Sequence, residues 1–178
     1  MAERKYLIVV DMQNDFVDGA LGTKEAQAIV PAVVNRIREC RKTGYRVIAT
    51  MDTHGTDYLQ TSEGRNLPVP HCIRGTQGWE INPSVKEALG DSVLLEKPTF
   101  GSVLLPEIIR QETGEKDSLS IELLGLCTDI CVVSNALLLK ANFPEAAISL
   151  CEACCAGVTP EKHLAALDTM RSCQIAVF

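Results

Sequence analysis

The sequence predicts an α/β protein: a three-layer, Rossmann-like fold with a mostly parallel sheet of about six strands flanked by helices. Three observations predict it. Apolar runs recur at 6–10, 46–51, 92–96, 118–125, 146–151 and 174–178. Several are continuous rather than alternating, which marks strands buried on both faces. Helical patterns lie between them, and strands alternating with helices close through right-handed crossovers.

The elements follow in order. After the first two runs' intervening segment, the clearest helix spans 26–42, with Ala26, Ile29, Val30, Val33, Val34, Ile37 and Cys40 at steps of three and four. Its charges, Arg36, Arg38, Glu39 and Arg41, fall largely off that stripe. Gly44 is placed to stop it. A second helix is expected at 103–111 and a third at 129–141, the latter with Thr128 as cap. A fourth is expected at 160–171, with Thr159 as N-cap and Pro160 in the first helical position. Between 52 and 82 there is little periodicity, but the stretch carries His54, His71, Pro68, Pro70, Gly64, Gly75 and Gly78. A loop this long in a compact domain is functional or disordered, and its content argues for function.

The 178 residues are 46% hydrophobic and 22% charged, the composition of one globular domain covering 1–178. The net charge of −6, with no Lys/Arg cluster, excludes nucleic acid and acidic membranes as expected partners. The apolar run 6–10 is too short for a signal segment or a membrane span, so a cytoplasmic protein is expected. Most of the eight cysteines sit inside apolar runs and read as reduced core thiols.

In open α/β sheets, ligands bind beyond the carboxyl ends of the strands. That rule selects Asp11, Asp52, Lys97 and the 125–131 turn: an acid, a metal-type ligand, a base and a thiol. Cys131 falls in the first turn of the third helix, where unpaired N–H groups and the positive end of the dipole favour a thiolate. Spacing alone supports a buried filler equally well. Asp11 could take the thiol proton or simply cap the next turn. Lys97, alone, reads as a solvated lysine; three such groups at adjacent strand ends tilt the reading toward a site. Alternation in an extended segment puts Asp52 and His54 on one side, and His71 completes a carboxylate and two imidazoles, a set suited to zinc, iron or manganese. Glu63 is a fourth candidate ligand. His163, on a helix surface, reads as structural or solvated. A dinucleotide-binding site is rejected, because no glycine follows the first strand until Gly19.

These residues resemble the isochorismatase-like cysteine hydrolases, and within them the nicotinamidases, over nearly the whole chain. The resemblance rests on five segments in order: Asp11-Met12-Gln13-Asn14-Asp15-Phe16, Asp52-Thr53-His54, His71-Cys72-Ile73-Arg74-Gly75-Thr76-Gln77-Gly78, Lys97-Pro98-Thr99-Phe100-Gly101 and Gly125-Leu126-Cys127-Thr128-Asp129-Ile130-Cys131-Val132. It implies a catalytic triad of Asp11, Lys97 and Cys131, an oxyanion hole from the N–H groups of Cys127 and Cys131, and a cis peptide at Leu126–Cys127. It further implies one divalent transition metal, zinc before iron or manganese, on Asp52, His54 and His71. Glu63 resembles an additional ligand of some members. The metal would hold a pyridine nitrogen and Phe16 would stack on the ring. Relatives commonly carry an aromatic residue three positions before the second metal histidine. Here that position is Pro68, preceded by Leu67, so the ring wall is expected from Leu67 or Phe100. The implied activity is hydrolysis of nicotinamide to nicotinate and ammonia through a thioester. The alternatives are another small amide, ureido or carbamoyl substrate, or a non-catalytic small-molecule binding protein. Relatives often self-associate, which implies a homo-oligomer.

Overall fold

The computed structural model describes residues 3–114 and 117–178. The strands are β1 (Glu3–Val10), β2 (Arg46–Asp52), β3 (Val93–Lys97), β4 (Ser118–Leu126), β5 (Ala147–Ala156) and β6 (Ala176–Val177). The helices are α1 (Asn14–Val17), α2 (Lys24–Lys42), α3 (Ser62–Asn66), α4 (Pro83–Leu89), α5 (Leu104–Glu112), α6 (Val133–Asn142) and α7 (Pro160–Ser172). All strand pairs are parallel, in the order β3-β2-β1-β4-β5-β6. The chain builds outward from β1 in one direction and from β4 in the other. The crevice between the carboxyl ends of β1 and β4 is therefore the switch point where such sheets take ligands.

The continuous apolar runs are buried as their composition demands. Leu7, Ile8, Val9 and Val10 of β1 and Leu123 and Leu124 of β4 have no exposed surface, and each such aliphatic side chain contributes about 1.5–3 kcal/mol by leaving water. Helix α2 buries Ala26, Val33, Val34, Ile37 and Cys40 on one stripe. Thr23 caps its start by accepting from the Ala26 N–H, and Gly44, at φ +82°, follows its end. Helix α7 begins as expected, with Thr159 accepting from Lys162 N–H and Pro160 in the first position. Among the described residues, no helix is long and apolar enough to cross a membrane.

Several details depart from the expected elements. Helix α4, started by the Asn82 side chain, lies in a stretch with too few apolar residues to show a period. The third expected helix opens with a π-helical turn, Thr128–Val132, before α6 proper. Thr128 does not cap it; its hydroxyl is engaged 2.8 Å from His163 Nδ1, which makes His163 structural. Finally, β5 runs on to Ala156 through an irregularity. Leu123 faces Leu150 but Gly125 faces Cys155, so a two-residue step on β4 meets a five-residue step on β5. The edge strand β6 has only two residues.

Candidate active site and metal centre

The acid stands where β1 ends. Asp11 is wholly buried and adopts a left-handed backbone, φ +47°, which costs a non-glycine residue about 1–2 kcal/mol. Its N–H donates to Thr50 O (3.2 Å), and Thr50 Oγ1 donates to Oδ1 (2.6 Å). Oδ2 receives no well-aligned hydrogen bond; its partner is the charge of Lys97 Nζ at 2.7 Å. Lys97 ends β3, and register sets it beside Asp52 at the end of β2. Only 1% of Lys97 is exposed. An unpaired ammonium would not survive such burial. Here Nζ also lies 3.4 Å from Cys131 Sγ and 3.5 Å from Asp52 Oδ1, and donates to Thr99 O (3.1 Å).

The thiol is delivered by the turn after β4. Gly125 has φ +121°, and a Cβ there would lie 2.2 Å from Val10 O, so only glycine lets β4 press this closely on β1. The Leu126–Cys127 peptide is cis, at the position the family resemblance implies. Cys131 then sits in the π-helical turn, a geometry that recurs at functional sites. Asn135 braces it: Nδ2 donates to Cys131 O (2.8 Å) and Phe100 O (3.2 Å), while Oδ1 accepts from Ser102 N–H (2.9 Å). Asp129 Oδ1 accepts from Val158 N–H (2.9 Å), tying the turn to the segment before α7.

Burial dominates the proton affinities. It pushes the Cys131 thiol well up, helped by Asp11 and opposed by Lys97. It raises Asp11 too, against the pull of Lys97, so this carboxylate is a stronger base than a solvated one. For Lys97, burial works against the charge, but Asp11, Cys131 and Asp52 outweigh it and hold the ammonium. A neutral thiol therefore faces a carboxylate of raised basicity and a fixed cation. Such a set can move a proton from sulfur to oxygen and hold the resulting thiolate.

The second group adjoins the first through Asp52. Asp52 Oδ2 lies 2.9 Å from His54 Nε2 and 3.5 Å from His71 Nε2. Glu63 Oε1 lies 3.7 and 3.6 Å from the same two nitrogens. One donor atom from each of the four residues lies within 4.8 Å of the others. His71 Nδ1 donates to Val69 O (2.8 Å), which leaves Nε2 as the lone-pair nitrogen facing the cluster. Two imidazoles, two carboxylates and an oriented tautomer fit a divalent transition metal. Tyr58 packs its ring on both imidazoles, at 4.8 and 5.0 Å, and its hydroxyl donates to Leu67 O (2.8 Å).

All the residues singled out from the sequence thus meet at one place. A cavity of about 640 Å³ opens over them, with Asp52, Glu63, His71, Cys127 and Cys131 in its lining. Phe16, Leu67 and Phe100 all line it, so both proposed wall residues are present. Phe16 lies 5.5 Å, edge to face, from His71.

Sequence reasoning missed the braces. Gln13 Nε2 donates to Asp52 O (2.8 Å) and Trp79 O (2.9 Å), and its Oε1 accepts from Asp52 N–H (2.8 Å). Asp15 Oδ2 accepts from Cys72 N–H (2.7 Å), and a Cβ on Gly78 would strike the same carboxylate. Both belong to the segment that follows β1, where the run of polar residues between Met12 and Phe16 was the available signal.

The fold and this site define a class: a doubly wound α/β protein with an acid, an ammonium and a thiol buried together at the carboxyl edge of its sheet. More particularly, the chain belongs to the isochorismatase family, whose Isochorismatase domain matches residues 5–178. It is 27% identical to the nicotinamidase/pyrazinamidase of Mycobacterium tuberculosis over 95% of each chain. It superposes on the nicotinamidase/pyrazinamidase of Bacillus subtilis with a TM-score of 0.85, at 28% identity over 98% of each chain. The pyrazinamidase of Pyrococcus horikoshii, solved in complex with zinc, gives a TM-score of 0.82 at 28% identity, again over 98% of each chain.

Proposed function

We propose that this chain hydrolyses nicotinamide to nicotinate and ammonia, with Cys131 as nucleophile. The observation that carries the reading is the placement of Asp52, Glu63 and His71 of the carboxylate–imidazole cluster with Cys131 in the lining of one cavity, with Phe16 beside His71. The names of the relatives agree with it.

Asp11, with Oδ2 open to a donor, takes the proton from Cys131. The thiolate attacks the amide carbon. The N–H groups of Cys127 and Cys131 hold the oxyanion, a role worth about 3 kcal/mol per donor. Lys97 keeps its proton and holds the negative charge as it moves among Asp11, sulfur and substrate. Asp11 then returns the proton to the leaving nitrogen, and ammonia departs. Water enters, gives a proton to Asp11 and cleaves the thioester, releasing nicotinate. Asp52, His54, His71 and Glu63 would hold one divalent metal, zinc first among the candidates. When bound, that ion supplies a Lewis-acid site for the pyridine nitrogen. Phe16 and Leu67 would orient the ring.

The test is ammonia release from nicotinamide and from benzamide, which lacks the ring nitrogen, with and without a chelator. Fast, chelator-sensitive turnover of nicotinamide alone is expected. Equal turnover of benzamide, or activity confined to ureido or carbamoyl compounds, overturns the substrate assignment.

A further inference from the structure

The mechanism leaves a second group of thiols unused, in the irregular part of β5. In a regular strand, residues three apart stand roughly 10 Å from each other and point to opposite faces. Cys151 and Cys154 do neither. The five-residue step of β5 against two residues of β4 folds Cys151-Glu152-Ala153-Cys154 back on itself and brings the two sulfurs to 3.1 Å. Both thiols are free and nearly buried. A disulfide requires about 2.05 Å between sulfurs, so a shift of roughly 1 Å shared by two side chains would close the bond.

We propose that Cys151 and Cys154 form a reversible intrachain disulfide and are a modification site for oxidants of the peroxide class. Cys151 attacks and Cys154 resolves. The hydrogen bond with Cys154 lowers Cys151 to about 7, against burial and Glu122, with Arg36 contributing. The hydrogen bond with Cys151, and then burial, raise Cys154. Arg36 is held in place by a two-pronged pair with Glu122, at 2.7 and 2.6 Å. Access is from the sheet edge. Phe178, beside the two-residue strand β6, donates its N–H to Leu150 O and accepts from Glu152 N–H, so it covers Cys151 from the edge. A strand this short opens at little cost.

The chemistry balances with hydrogen peroxide as oxidant. The Cys151 thiolate attacks one peroxide oxygen, the O–O bond breaks, a sulfenic acid forms and, with one proton taken up, water leaves. Cys154 sulfur then attacks the sulfenic sulfur, the S–S bond forms and the hydroxyl leaves with the Cys154 proton as a second water. Two sulfurs are oxidised, the peroxide oxygens are reduced, and a thiol reductant reverses the step.

The experiment uses the full chain carrying Cys131→Ala, which removes the competing nucleophile, treated with equimolar hydrogen peroxide, then alkylated and digested with trypsin. Residues 141–162 form one tryptic peptide whose cysteines are Cys151, Cys154 and Cys155. The expected result is a peptide lighter by two hydrogen atoms that takes up one alkyl group, at Cys155, and regains all three after dithiothreitol. Cys151→Ser and Cys154→Ser should each abolish the mass loss, and Cys155→Ser should not. A peptide that gains oxygen, stays fully alkylated, or still loses two hydrogens in Cys154→Ser overturns the proposal. The readout does not depend on amide hydrolysis.

Discussion

Two groups of polar residues adjoin at the floor of the cavity through Asp52, and they are held in different ways. Asp11 and Lys97 come from the ends of β1 and β3 and Cys131 from the turn that follows β4, so the sheet's register brings the three segments together. Asp52 shares that support, but His54, Glu63 and His71 come from the loop that follows it. The first group has almost no contact with water. In the second, the Glu63 side chain is 22% exposed and the geometry depends on struts: Gln13, Asp15 and Tyr58. On the proposed mechanism, the bond-making groups are thus anchored by the sheet, while the groups that would select a ligand ride largely on a loop, where change disturbs the core least.

The sharpest way to break this contrast is at the strand ends. Cys131→Ala should lower ammonia release by about 10⁴-fold or more, since removing a nucleophile that acts as part of a unit costs nearly the whole effect. Its urea midpoint should move little, because the change deletes one sulfur. Asp11→Asn should cost about 10²–10⁴-fold in kcat. It should also lower stability by about 3 kcal/mol in urea unfolding, because it leaves Lys97 buried beside a neutral amide with Asp52 as its remaining counter-charge. Loss of activity without loss of stability would mean that Lys97 does not depend on Asp11.

On the loop side the expected effects are smaller and fall on metal content. His71→Ala should strip the metal in elemental analysis and leave the urea midpoint near that of the parent. Asp15→Ala touches none of the four donors. It removes the acceptor of the Cys72 N–H, the residue next to His71, and should weaken metal binding by about 10–100-fold in a chelator competition. If Asp15→Ala keeps full metal affinity, the strut is ornamental and the loop is self-supporting.

How much of this was legible depends on where the signal resides. Strands β1, β2 and β4 and helix α2 announce themselves, because burial on two faces or one stripe constrains many residues at once. Asp11, Lys97 and the 125–131 turn were legible as strand ends. Their mutual contact was not, since it depends on sheet order, which no local pattern encodes. A π-helical turn around Cys131 stands where an ordinary capped helix was expected, and Thr128 spends its hydroxyl on His163, a residue 35 positions away. The irregularity in β5 was invisible for a related reason. Cys151, Cys154 and Cys155 are all small and apolar, so nothing in their order shows that the strand folds back before Cys155 meets Gly125. Gln13 and Asp15 lie in the segment 11–16, but their hydrogen bonds go to the backbone of Asp52, Cys72 and Trp79, and backbone partners leave no sequence signature.

The smallest expected effect tests whether the loop's variable part is separable from its fixed part. Leu67 has a backbone carbonyl pinned by Tyr58 Oη at 2.8 Å, while 38% of the residue is exposed in the cavity wall. Leu67→Ala keeps the pinned carbonyl and removes only a half-exposed side chain. The lost apolar contact with a bound ring is about 1 kcal/mol, or roughly fivefold. That loss should appear in KM with kcat unchanged, because the contact is the same in the ground state and the transition state. A larger fall, carried by kcat, would show that the side chain holds the histidines and not just the ring. The loop would then be as rigidly committed to the chemistry as the strand ends are.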